Sequence, residues 1–97
     1  MKTKVRDLIA ECKAAAKRPG AYGFLPDIIG ELEDIQNELE RDEPEPNILL
    51  VWTRGLGRLV TESYAFSESP LGGKLLDLVT EIVSRYDPRF RQGRDKG

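Results

Sequence analysis

The chain has 97 residues and a mass of 10.9 kDa, room for one small domain around one core. Apolar residues make up 39% and charged residues 33%, a globular rather than a disordered balance, and a formal net charge of −2 excludes a polycationic coat for nucleic acid or membrane. With no histidine the commonest general base, metal ligand and pH switch go together, and a single cysteine excludes internal disulfides and Cys-rich zinc sites.

Pro19-Gly20, Pro44-Glu45-Pro46 and Ser69-Pro70 cut the chain into four segments. In the first, Val5, Leu8, Ile9, Cys12 and Ala16 share one helical face, Thr3 suits a cap and Pro19-Gly20 a stop, which predicts a helix over 3–18. Cys12 lies on the apolar face and reads as core rather than as a reactive thiol. After a linker holding Tyr22, Phe24 and Leu25, Pro26 suits a first helical position. Ile28, Leu32, Ile35 and Leu39 then repeat at four-three-four spacing, predicting a helix over 26–41. That narrow seam sends Asp27, Glu31, Asp34 and Glu38 outward as one acidic, solvated stripe.

The third segment carries the longest apolar run, Ile48 to Trp52, too short for a signal sequence or a membrane span. Length favours a helix over 46–65. On its wheel Ile48, Leu49, Trp52, Leu56, Leu59 and Val60 form one broad face, while Leu50 and Val51 overflow beside Arg54 and Arg58 and should leave apolar surface there. In the fourth segment Ser69 caps, Pro70 opens and Leu71, Leu75, Leu76, Leu78, Val79, Ile82, Val83 and Tyr86 cover nearly half the wheel, predicting a helix over 70–86 that Asp87-Pro88 ends. Short loops set consecutive helices antiparallel. The expected fold is all-α: a four-helix up-and-down bundle over 1–88, its third and fourth helices at the centre, and a flexible basic tail over 89–97.

Few residues here carry chemistry. Gly55-Leu56-Gly57 resembles a dinucleotide fingerprint only superficially, because Val60 stands at the third glycine position and no strand precedes it. The glycines read instead as a close helix approach or a bend. Gly72-Gly73 at a helix start lacks the lysine-serine signature of a phosphate loop. Glu31, Asp34 and Glu38 have neither the histidine of a di-iron bundle site nor the alternation of a calcium loop. No nucleophile is paired with a base. The expectation is therefore no enzyme, no cofactor and no metal.

Charge is uneven: residues 1–20 carry +4 and residues 21–46 carry −8. A bipolar surface with an apolar overflow suits docking to a charged protein or to a second copy. The function expected is a small, cytoplasmic, non-catalytic protein-binding module of the regulatory-subunit, adaptor, immunity-protein or antitoxin kind. It would be homodimeric through the third and fourth predicted helices in one form, with Leu50, Val51, Arg54, Arg58, Glu31, Asp34 and Glu38 as candidate interface. In one version the acidic second helix mimics a phosphate-rich ligand. The alternative is nucleic-acid binding through a basic end built from Lys2, Lys4, Arg6 and the tail residues Arg89, Arg91 and Arg94.

Overall fold

The computed structural model describes residues 2–87. It is all-helical, with five helices in chain order: α1 (Lys2–Ala16), α2 (Leu25–Leu39), α3 (Pro46–Thr61), α4 (Tyr64–Ser67) and α5 (Pro70–Tyr86). No helix among the described residues is long and apolar enough to cross a membrane. The expected basic tail lies outside the described residues.

Every predicted helical segment is helical, and the ends of all but the last are corrected, the second running Leu25–Leu39 rather than 26–41. Thr3 sits inside α1 rather than capping it, and α1 stops at Ala16 because Pro19 forces its predecessor out of helical geometry. The last turn tightens, with the Lys17 and Arg18 amides donating to the Ala14 and Ala15 carbonyls, and Gly20 reverses the chain at φ +77°. The helix predicted over 46–65 is two. Ser63 leaves helical geometry (φ −111°, ψ 112°), and its Oγ accepts from the Phe66 amide at 3.3 Å to start α4. That break turns Phe66 into the core. α5 keeps its predicted bounds, opened by Ser69, whose Oγ accepts from the Gly72 amide at 3.1 Å.

α1 packs on α2, α2 on α3 and α3 on α5, while α1 and α5 meet over a thinner seam. The predicted centre is thus corrected: α2 and α3, not α3 and α5, each carry two extensive interfaces. The seam of Ile28, Leu32, Ile35 and Leu39 is wholly buried between two neighbours, narrow as it is. Two ion pairs fix the direction of α1 on α5. Lys4 meets Glu81 at 3.3 Å and Glu11 meets Lys74 at 2.9 Å, so numbers rise along one helix as they fall along the other. The two helices are antiparallel, and the start of α1 lies beside the end of α5.

The buried arc of α3 is rotated from the predicted one. Leu49, Leu50, Thr53, Leu56 and Val60 are buried, whereas Ile48 is 38% exposed and Trp52 only partly covered. Thr53 causes the discrepancy: a polar residue fully inside shifts the arc's centre away from where apolar residues alone would place it. The two glycines of α3 face different neighbours. A Cβ on Gly57 would lie 3.5 Å from Val79 of α5, and one on Gly55 would lie 3.3 Å from the Glu31 carboxylate of α2.

Glu38 is the second departure from the predicted faces. Instead of lying on a solvated stripe it is buried, accepting from the Glu45 amide at 2.8 Å and from Arg41 at 3.1 Å. It thereby closes the α2–α3 loop. Glu38→Ala is expected to cost about 1.5–3 kcal/mol, the value of hydrogen bonds to a charged acceptor, read as a lowered urea midpoint. A loss within that of a surface substitution, about 0.5 kcal/mol, would show that the clamp contributes little.

Candidate functional site

The outer face of α3 is the candidate partner surface. Val51 is 62% exposed, Ile48 lies one turn before it, and Arg54 and Arg58 continue the same side. α3 contains no acidic residue, so this face is basic and apolar at once. The expected exposure of Leu50 is corrected: it is only 5% exposed. Ile48 takes its place on the surface.

The two arginines differ in what they hold. The Arg54 guanidinium donates to the Asp87 carboxylate at 3.3 Å, and Asp87 is itself buried, so Arg54 ties the end of α5 to α3. Arg58 borders an open groove of about 490 Å³ between α2 and α3, lined also by Asp27, Gly30, Glu31, Asp34 and Leu59. The predicted acidic stripe therefore splits three ways. Asp27 and Asp34 are exposed, Glu31 is half-buried against Gly55, and Glu38 is committed to its loop. No group of three or more acidic or cysteine side chains among the described residues gathers in a metal-holding arrangement.

One Glu31 oxygen is buried without a hydrogen-bond partner, and burial, seconded by the charge of Asp34, raises its carboxyl above the ordinary glutamate value. The folded chain thus keeps a proton there that the unfolded chain has lost. Its contribution to stability is present below the ordinary glutamate value and is lost as pH rises through the raised one. Glu31→Gln removes that titration. The urea midpoint of the variant is expected to fall less than that of the parent between about pH 4 and about pH 7; equal falls would contradict the burial of this carboxyl.

Cys12 is fully buried in the core. Burial, with the neighbouring charge of Glu11, pushes its thiol up to about 11, so it stays protonated and inert at neutral pH. The amides of Gly72 and Gly73 donate to the Ser69 hydroxyl and carbonyl.

At the basic end, Lys4 is engaged by Glu81, while Lys2 and Arg6 are exposed; Arg89, Arg91 and Arg94 lie outside the described residues. Further along α1, Lys13 meets Glu33 of α2 at 3.7 Å. Sequence reasoning missed Ile48 and the inward commitments of Glu38 and Arg54. Only the extended partner contacts of each side chain distinguish them from their neighbours on the wheel. Set against protein-family models, curated proteins and solved structures, the chain matches none.

Proposed function

We propose that the protein is a non-catalytic protein-binding module whose docking surface is the outer face of α3. The observation that carries this reading is the exposure of Val51, with Ile48, on a helix whose only charged residues are Arg54 and Arg58. An exposed aliphatic pair flanked by cations suits a partner segment that presents an apolar anchor and carboxylates. The four long helices are read as an up-and-down bundle, supported by the antiparallel α1–α5 ion pairs and by the packing of each long helix on its neighbour in sequence. In this reading the module is cytoplasmic, and a homodimer through α3 and α5 is the form in which the partner is a second copy.

Two rival readings draw less support. A phosphate-mimicking α2 would need an open row of carboxylates, yet Glu38 is spent on Glu45 and Arg41, and Glu31 is half-covered. Nucleic-acid binding by the basic end gives up part of the charge of Lys4 to Glu81.

A photo-crosslinking amino acid at position 51, with position 64 as an exposed control, tests the proposal in cells of the native host. One adduct is expected at 51, none matching it at 64, and its yield should drop when Arg58→Glu is added. An adduct of twice the chain's mass identifies the homodimer. No adduct at 51, or one indifferent to Arg58→Glu, sinks the reading.

A further inference from the structure

A second concave feature lies elsewhere on the molecule, where the last turn of α1, the α1–α2 link, α4 and the start of α5 converge. An open cavity of about 370 Å³ is lined there by Ala15, Arg18, Tyr22, Leu25, Phe66 and Leu71, together with the turn residues around Gly20 and Pro70. Its volume falls within the range of small-molecule sites, about 300–1,000 Å³. The wall is aromatic: the ring of Tyr22 sits 5.1 Å from those of Phe24 and Phe66, which are 5.2 Å from each other. Phe66 is buried beneath, while Tyr22 keeps 40% of its surface open. Gly20, with no atom within 4 Å of where its Cβ would stand, leaves the rim unobstructed.

The polar chemistry of this cavity is sparse and of one sign. Ser69 is occupied, its hydroxyl donating to the Phe66 carbonyl at 2.5 Å and accepting from the Gly72 amide. Among the described residues Arg18 is the only charged one in the lining, and it makes no ion pair there. Among the described residues no acidic side chain lines the site to welcome a cation, and the Tyr22 hydroxyl is its one further polar side-chain group. An apolar, ring-lined cavity with one unengaged guanidinium at its edge matches a flat apolar body that ends in a single carboxylate.

We infer that the cavity between the α1–α2 link and α4 binds an aromatic monocarboxylate, its ring against the open face of Tyr22 above the buried Phe66 and its carboxylate on Arg18. This site is separate from the α3 face and stands or falls without it.

The test titrates the ¹⁵N-labelled chain with 2-naphthoate, and in parallel with neutral 2-naphthamide. The expected result is saturable shifts of the Gly20, Tyr22 and Leu71 amides, with naphthoate binding about tenfold more tightly than the amide. Arg18→Gln, an exposed change that leaves the core untouched, should bring naphthoate down to the affinity of naphthamide. Tyr22→Ala should weaken both ligands alike. Absence of saturable shifts, shifts centred elsewhere, equal affinity for the two ligands, or an unchanged naphthoate affinity in Arg18→Gln would each overturn the assignment. A short peptide ending in phenylalanine with a free carboxylate is the last arm. If it binds about tenfold more tightly than naphthoate, the cavity reads a chain terminus and the small-molecule assignment falls.

Discussion

Gly72→Ala is expected to destabilise the protein by about 3 kcal/mol, the upper end of what overpacking costs, while Gly73→Ala, one residue on, should be neutral or stabilise by up to about 1 kcal/mol. The two glycines occupy the same turn of α5 and differ in what stands opposite. A Cβ on Gly72 would overlap the Phe66 carbonyl oxygen and lie 2.8 Å from its carbon and 3.0 Å from Ser67 Cα. These are backbone atoms of α4, held by the Ser63 and Ser69 caps, and they cannot swing aside as a side-chain tip would. Gly73 has nothing within 4 Å, so alanine there only improves helix propensity. Urea unfolding followed by far-ultraviolet circular dichroism measures both. Equal midpoints for the two variants would show that α4 is not seated against α5 as described.

Leu56→Ala should remove about 2–5 kcal/mol, the range for emptying a buried leucine site. Leu56 is fully buried on α3, the helix that packs against both α2 and α5, and it belongs to a mostly aliphatic core drawn from all five helices. Partial collapse is therefore resisted from two sides. A domain of this size has about 5–15 kcal/mol in total, so this one truncation removes a large part of it. The contrast is Val51→Ala on the same helix, where the side chain is mostly in water and the change should stay within about 0.5 kcal/mol. A Leu56→Ala loss below about 1 kcal/mol would mean that α3 does not sit where its burial places it.

Helix identity was legible because each segment pairs a periodic apolar face with a stop that acts locally. Ser69-Pro70 set the start of α5, and Asp87-Pro88 its end, without help from the rest of the molecule. The break at Ser63 was missed although the Thr61-Glu62-Ser63 cluster carries it. Apolar periodicity runs on to Phe66 at a spacing that an unbroken helix also satisfies, and only the cap on the Phe66 amide shows that the axis turns.

Faces were less legible than elements. Hydropathy places Ile48 inside and Thr53 nowhere, yet burial on α3 is decided by where α2 and α5 stand, and both assignments reverse. The same holds for charge. Asp34 and Glu38 look alike on a wheel, but only Glu38 reaches the amide of Glu45 across the loop, a contact set by loop geometry seven residues away. Of the candidate partner surface, Val51 and Arg58 could be read in the sequence and Leu50 and Ile48 could not. Nor did the sequence pattern reveal the aromatic cavity, whose walls come from segments 15–25 and 66–71 joined only by the fold.

The order of the helix contacts also has a kinetic meaning. α1 on α2, α2 on α3 and α3 on α5 are pairings of consecutive long helices, the last across the short α4, and each closes a short connection at low entropic cost. The thin α1–α5 seam joins the most distant parts of the described chain, its ion pairs spanning 77 and 63 positions, and the rings of Tyr22 and Phe24 on Phe66 add a second long-range contact. Local pairings of this kind can form before the distant ones, so that folding can proceed by successive addition of adjacent hairpins.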